Sequence, residues 1–190
     1  MTEKDTRTSL GPLELTDGRW VMGDPSRPRG HWVELRAEGL YQHEPDSGGQ
    51  LIPWSRIMPG ILFTLGARYP VKGNYSPMGL LGGLPGPWRG RGSGYLHMTL
   101  RHPYENWVAR FHRHPRFYGG TELVLFEELL SQAAEAGETH LFGDPAWLGS
   151  VIGRLALQRP WSPRAIREAV TEARQAGRRP RDEEESPESS

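Results

Sequence analysis

The sequence predicts an α+β fold in which a β-rich first two-thirds is followed by helices. Three observations predict it. Short runs of alternating apolar and polar residues, such as His31-Trp32-Val33-Glu34-Leu35-Arg36 and Tyr95-Leu96-His97-Met98-Thr99-Leu100-Arg101, turn one face of a strand to a core and the other to water. Helical spacing appears only after Gly120, where it is sustained and bounded by capping residues. Glycine (24 residues) and proline (17) both exceed average usage, which favours a loop-rich fold with strands over a helical bundle.

From Arg19 to about Ile57 the pattern is β. The 31–36 run, a Glu38-Gly39 turn and Leu40-Tyr41-Gln42-His43 read as a hairpin. Gly48-Gly49 breaks the chain before Leu51-Ile52-Pro53-Trp54-Ser55-Arg56-Ile57, a short strand. Pro53 lacks an N–H and so places that strand at a sheet edge or at a strand end. Residues 66–94 hold nine glycines, four prolines and four basic residues with no acid. Neither periodicity survives there, so the stretch reads as a long inserted loop, of a length that is usually functional or disordered. Its Met78, Leu80, Leu81, Leu84 and Trp88 argue against a plain solvated linker.

Residues 95–114 are the clearest hairpin. With Pro103-Tyr104-Glu105-Asn106 as the turn, His102 pairs with Trp107 and His97 lies opposite His112. Leu96, Met98, Leu100, Trp107, Ala109 and Phe111 then share an apolar face. His97, Thr99, Arg101, Arg110, His112 and His114 share a cationic one. A slip of one residue in one strand mixes the two faces, which argues for this pairing.

Three helices follow. Thr121 reads as the N-cap of Glu122–Ala136, with Leu123, Phe126, Leu129, Leu130 and Ala133 at helical spacing and Gly137 as the stop. Asp144-Pro145 opens a second helix to residue 156, and Ser162-Pro163 a third to residue 175. The expected organisation is a polar N-terminus at 1–12, a β domain at 13–137 carrying the 66–94 insertion, a two-helix appendage at 138–176, and a tail at 177–190 with no apolar residue and an acidic end, read as disordered.

Composition bounds the function classes. Without cysteine the chain has no disulfide, thiolate nucleophile or Cys-based zinc site. The polar first ten residues and the lack of any long apolar run predict a soluble, cytoplasmic chain with no transmembrane segment. The formal charge is zero but uneven: residues 60–120 carry eight Arg/Lys against Glu105 alone, with four of the seven histidines among them. Such a segment faces an acidic protein or a polyanion, with nucleic acid one possibility. Arginine outnumbers lysine 21 to 2, which reflects a GC-rich genome more than arginine-specific chemistry.

The order of strands, the Gly-Gly break, the Leu51-Ile52-Pro53-Trp54-Ser55-Arg56-Ile57 segment, a last hairpin and one closing helix resembles bacterial PH-like domains over about Leu13–Gly137. The chain as a whole resembles an actinobacterial protein type, which implies no mechanism. The PH-like resemblance implies an antiparallel β-barrel or sandwich closed by one helix, here with a C-terminal two-helix appendage. It also implies a binding module of the kind that takes phosphoinositides, peptides or proteins and is rarely catalytic. The long Gly-rich insertion and the two added helices depart from that pattern.

The candidate ligand-binding residues are Arg68, Lys72, Trp88, Arg89 and Arg91 in the loop, and His97, Arg101, Arg110 and His112 on the hairpin. Glycines let backbone N–H groups approach an anion, and arginines clamp it with paired bonds; the competing reading is a loop of solvated charges. His97 opposite His112 is within reach of a shared metal, but the surrounding arginines oppose one, so no metal and no cofactor is expected. No Walker, dinucleotide-binding, nucleophile-elbow or zinc-protease motif is present. Ser76, His97 and Glu105 are the nearest thing to a catalytic triple, and any chain offers such triples. The expected function is a non-catalytic binding or regulatory protein using loop 66–94 and hairpin 95–114. One alternative is nucleic-acid binding through the same strip plus the basic stretch 162–181; another is an enzyme with an unrecognised site. Tryptophans, including Trp147 and Trp161 beside helix starts, are read as core residues, with Trp88 the exception. The sequence leaves the oligomeric state open.

Overall fold

The computed structural model describes residues 9–57, 64–66, 89–101 and 104–178, and of residues 64–66, 89–93 and 113–117 it describes the backbone. Six short strands form one antiparallel meander: β1 (Ser9–Leu10), β2 (Leu13–Thr16), β3 (Arg19–Met22), β4 (Trp32–Leu35), β5 (Gly39–His43) and β6 (Gln50–Pro53). A second sheet holds β7 (Thr64–Gly66), β8 (Arg89–Leu100) and β9 (Glu105–Gly119) in that order. Three helices follow: α1 (Gly120–Glu135), α2 (Pro145–Leu155) and α3 (Pro163–Gly177). The architecture is α+β, with antiparallel sheets first and helices last.

The β4–β5 hairpin forms where alternation puts it, with Trp32 opposite His43 and Leu35 opposite Leu40. Pro53 is the last residue of edge strand β6, where its missing N–H costs no ladder bond. The expected strand over 51–57 stops there, because Trp54–Arg56 turn into a 3₁₀ segment. That turn buries the Trp54 ring and lets its indole N–H donate to the Arg36 carbonyl at 2.9 Å.

No closed barrel forms among the described residues. Among the described residues the two sheets are joined by a bridge from Ile57 to Leu100 and by hydrogen bonds that include the His112 N–H donating to the His31 carbonyl at 2.7 Å. The Glu122 carboxylate of α1 accepts the N–H of Gly11, in the turn between β1 and β2, at 3.0 Å.

The hairpin expected at 95–114 is longer, because β8 starts at Arg89 and β9 runs to Gly119. Both ends of the expected loop 66–94 therefore belong to strands, Gly66 to β7 and Arg89–Gly94 to β8. The glycines are absorbed by register shifts between Gly90, Gly92 and Gly94, where the pairing slips without breaking. The pairing is also displaced. His97 faces Val108, four positions from His112, and Leu100 faces Glu105. Bonds from the end of β6 set the turn earlier: the Arg101 N–H donates to the Arg56 carbonyl at 2.8 Å, and the Arg56 guanidinium to Glu105 at 2.6 Å. An even displacement preserves side-chain parity, so the apolar face expected from the sequence is the buried one: Leu96, Met98, Leu100, Ala109 and Phe111 are fully enclosed.

That face meets Met22, Val33, Leu40 and Ile52 of the six-stranded sheet in one apolar core. The core continues without a gap through Phe126 and Leu129 of α1, Leu148 and Ile152 of α2, and Val170 of α3. Two glycines permit close approach. Gly23 (φ 100°) lies where β9 crosses the start of β4, and a Cβ there would stand 3.1 Å from both Phe111 and Trp32. Gly143, just before α2, lies against the β4–β5 turn, and a Cβ would stand 2.3 Å from the Ala37 nitrogen. The helices start and stop as their caps dictate. Asp144 accepts from the Ala146 and Trp147 N–H groups, and Ser162 from that of Ala165. The α1 cap is Gly119 rather than Thr121, with Glu122 accepting the Gly119 N–H at 3.3 Å. Among the described residues, no helix is long and apolar enough to cross a membrane. The expectations for residues 1–8, for 67–88 and for 179–190 lie outside the described residues.

Candidate functional site: the basic ribbon

Strands β8 and β9 form a two-stranded ribbon whose core-facing side is filled by the residues above. The candidate arginines lie along these two strands. Arg110 is exposed there, on the face opposite buried Ala109 and Phe111. Arg89 and Arg91 lie in β8, and Arg113 and Arg116 in β9, with Arg89 paired to Gly119 and Gly92 to His114. The arginines assigned to a loop and those assigned to a hairpin thus lie on one ribbon. Glu105 is the only acid in either strand, and Arg56 neutralises it. Arg68, Lys72, Trp88, His102 and Ser76 lie outside the described residues.

The other candidates are engaged in holding the fold. His112 accepts the His31 N–H on Nδ1 at 3.1 Å, and the two imidazole rings meet edge to face at 4.8 Å. Burial pushes His112 below the usual imidazole value, and the nearby charges of His31, Arg27 and Arg110 push it the same way. His97 is also held down by burial, against a hydrogen bond with Asn106. Arg101 turns back to the Ile57 carbonyl at 3.4 Å. The expected opposition of His97 and His112 does not form, because the displaced pairing puts Val108 across from His97. Among the described residues, no group of three His, Asp or Glu side chains is placed to hold a metal.

A second cluster, on the outer face of the six-stranded sheet, was not singled out from the sequence. Trp32 stacks flat on His43 at 3.3 Å, Arg19 sits over Trp32 at 5.6 Å, and Arg36 lies over Tyr41 at 4.0 Å. Glu34, only 6 % exposed, bonds both Arg36 (2.7 Å) and His43 (3.0 Å). Burial drives its carboxyl upward, but the hydrogen bonds from Arg36 and His43 outweigh it and leave Glu34 below the usual carboxylate value. Burial likewise lowers His43, with Glu34 opposing. Alternation along β4 combined with the β4–β5 pairing would have predicted this cluster. Arg36 and His43 share the Glu34 carboxylate, which marks the cluster as a clasp between strands.

The basic α3 is also matched. Arg174 donates to Gln132 (3.0 Å) and Glu138 (2.5 Å), Arg178 pairs with Glu138, Arg164 with Glu168 at 2.7 Å, and Arg167 with Glu128 at 3.6 Å. Between α1 and α3 lies a polar cleft of about 620 Å³. Its Gln132 amide donates to Glu128 and to the Arg167 carbonyl. Trp147 is buried as expected, whereas Trp161 is not: it stands in solvent between α2 and α3.

Compared with protein-family models, curated proteins and solved structures, the chain finds no match.

Proposed function

We propose that this chain is a non-catalytic binding module that engages an acidic protein or other polyanion through the β8–β9 ribbon and the basic segment leading into it. The observation that carries this reading is the convergence of Arg89, Arg91, Arg110, Arg113 and Arg116 on two paired strands whose single acid is already neutralised. A row of arginines with a planar, always-charged donor fork suits carboxylate or phosphate groups. The candidates from the preceding segment, Arg68, Lys72 and Trp88, belong to the same proposal. So does the finer reading of residues 13–137 as PH-like, supported by the antiparallel sheet, the closing hairpin and the helix that follows it. Nucleic acid through the ribbon is the alternative. The α3 stretch adds little to it, since Arg164, Arg174 and Arg178 each pair with a carboxylate.

The test is binding of polyglutamate and of duplex DNA over a range of salt. Wild type is expected to bind one of them with affinity that falls steeply as salt rises. A variant with Arg89, Arg91, Arg110 and Arg113 changed to Ser is expected to lose most of that affinity. Binding of neither probe, or equal binding by the variant, sinks the reading.

A further inference from the structure

The segment joining α2 to α3 displays two large apolar side chains that the fold does not use. Leu157 is 83 % exposed and Trp161 87 % exposed, at either end of a five-residue loop. Most of the chain's other tryptophans behave differently: Trp20, Trp54, Trp107 and Trp147 are buried. Hydrogen bonds close both ends of the loop. The Arg159 guanidinium donates to the Ala156 and Gln158 carbonyls at 2.8 and 2.7 Å, closing the C-terminus of α2. Ser162 caps the N-terminus of α3.

The sequence around the loop is basic. From Pro145 to Arg167 the chain carries Arg154, Arg159, Arg164 and Arg167 and no acid. Arg154 and Arg159 are exposed and bond no acid among the described residues, Arg164 bonds Glu168, and Arg167 reaches Glu128 only at 3.6 Å. A loop that exposes Trp and Leu with arginines beside it fits an interface that is apolar inside and anionic at its surface. Trp settles at headgroup depth, Leu enters the acyl boundary, and guanidinium groups meet lipid phosphates.

We propose that the α2–α3 loop is a membrane-contact element, inserting Trp161 and Leu157 into the interface of an anionic bilayer. The proposal does not depend on the ribbon, which lies on different strands. The experiment is co-sedimentation of the full chain with vesicles of phosphatidylcholine alone and of an equimolar mixture with phosphatidylglycerol. The chain is expected to sediment with the mixed vesicles and to stay in solution with the neutral ones. Trp161→Ser and Leu157→Ser are each expected to weaken binding by about tenfold or more, the loss of one buried large apolar side chain. Arg154→Gln is expected to weaken it less and to flatten its salt dependence. Brominated lipid is expected to quench wild-type tryptophan emission, and Trp161→Phe to abolish that quenching while still sedimenting. The ribbon variant removes arginines that would also attract an anionic surface, so sedimentation alone does not separate the two proposals; at saturating lipid that variant is expected to keep the Trp161-dependent quenching, whereas loss of that quenching would assign the contact to the ribbon. It falls if wild type ignores mixed vesicles, if the Leu157→Ser/Trp161→Ser double variant binds them as wild type does, or if Trp161 instead proves necessary for two copies of the chain to associate without lipid.

Discussion

The molecule has two arginine-rich regions, and they use the residue in opposite ways. In α3 the guanidinium groups of Arg174 and Arg178 converge on Glu138, Arg167 reaches Glu128 on α1, and Arg164 is matched along its own helix by Glu168. On the β8–β9 ribbon five arginines share two strands with one acid, and that acid is bound to Arg56. Composition alone makes both regions look like polyanion sites. What separates them is that carboxylates turn the α3 arginines into a clasp between helices, whereas the two ribbon strands themselves supply one acid to five arginines.

The comparison breaks most readily at Arg174, whose side chain is 12 % exposed. Changing it to Met removes bonds to Gln132 and Glu138 and leaves those half-enclosed acceptors with Thr171 and Arg178 alone. We expect a loss of about 3 kcal/mol in denaturant unfolding, the usual cost of breaking an enclosed ion pair from one side. A loss under about 1 kcal/mol would mean that the clasp contributes no more than a surface pair.

Acid is expected to act next, and on the sheets. His43, His97 and His112 each sit below the ordinary imidazole value of 6.5 because burial disfavours their charged form. The unfolded chain then binds more protons than the folded one, so the stability they contribute is present above pH 6.5 and lost as pH falls toward the folded values. Glu34, held below 4.5, adds a further loss as pH drops beneath that value. Melting curves from pH 8 downward should show both steps. An His97→Asn/His112→Asn variant should shrink the first, and an unchanged first step would assign it elsewhere.

Smaller effects sharpen the contrast. Arg110→Ser should leave stability within about 0.5 kcal/mol, as exposed substitutions do, while reducing polyanion affinity; a large stability loss would place Arg110 with the clasping arginines instead. Glu168→Ala removes the exposed partner of Arg164 and should produce no resolvable change in melting temperature.

The helices were legible almost to the residue, because Asp144-Pro145 and Ser162-Pro163 state their own starts through caps that act within one turn. The apolar face of the ribbon was legible too, since parity survives an even displacement of the pairing. The pairing itself was not. It depends on Arg56 and Ile57 meeting Arg101 and Leu100, contacts between segments far apart in sequence. The strand at Arg89–Gly94 was hidden for a related reason. Glycine opposes strand formation locally, and only pairing with β9 overrides it. Trp161 shows the reverse failure: its position before a capped helix looks like a core position, yet its side chain faces water.

By itself the sequence determined which residues alternate, which segments coil and where positive charge exceeds negative, since all three are properties of neighbours along the chain. Tertiary structure alone decided which arginines meet a carboxylate, which strands share a register, and that the sheets stop short of a barrel. Each of those outcomes rests on the distance between groups that the chain holds far apart until it folds.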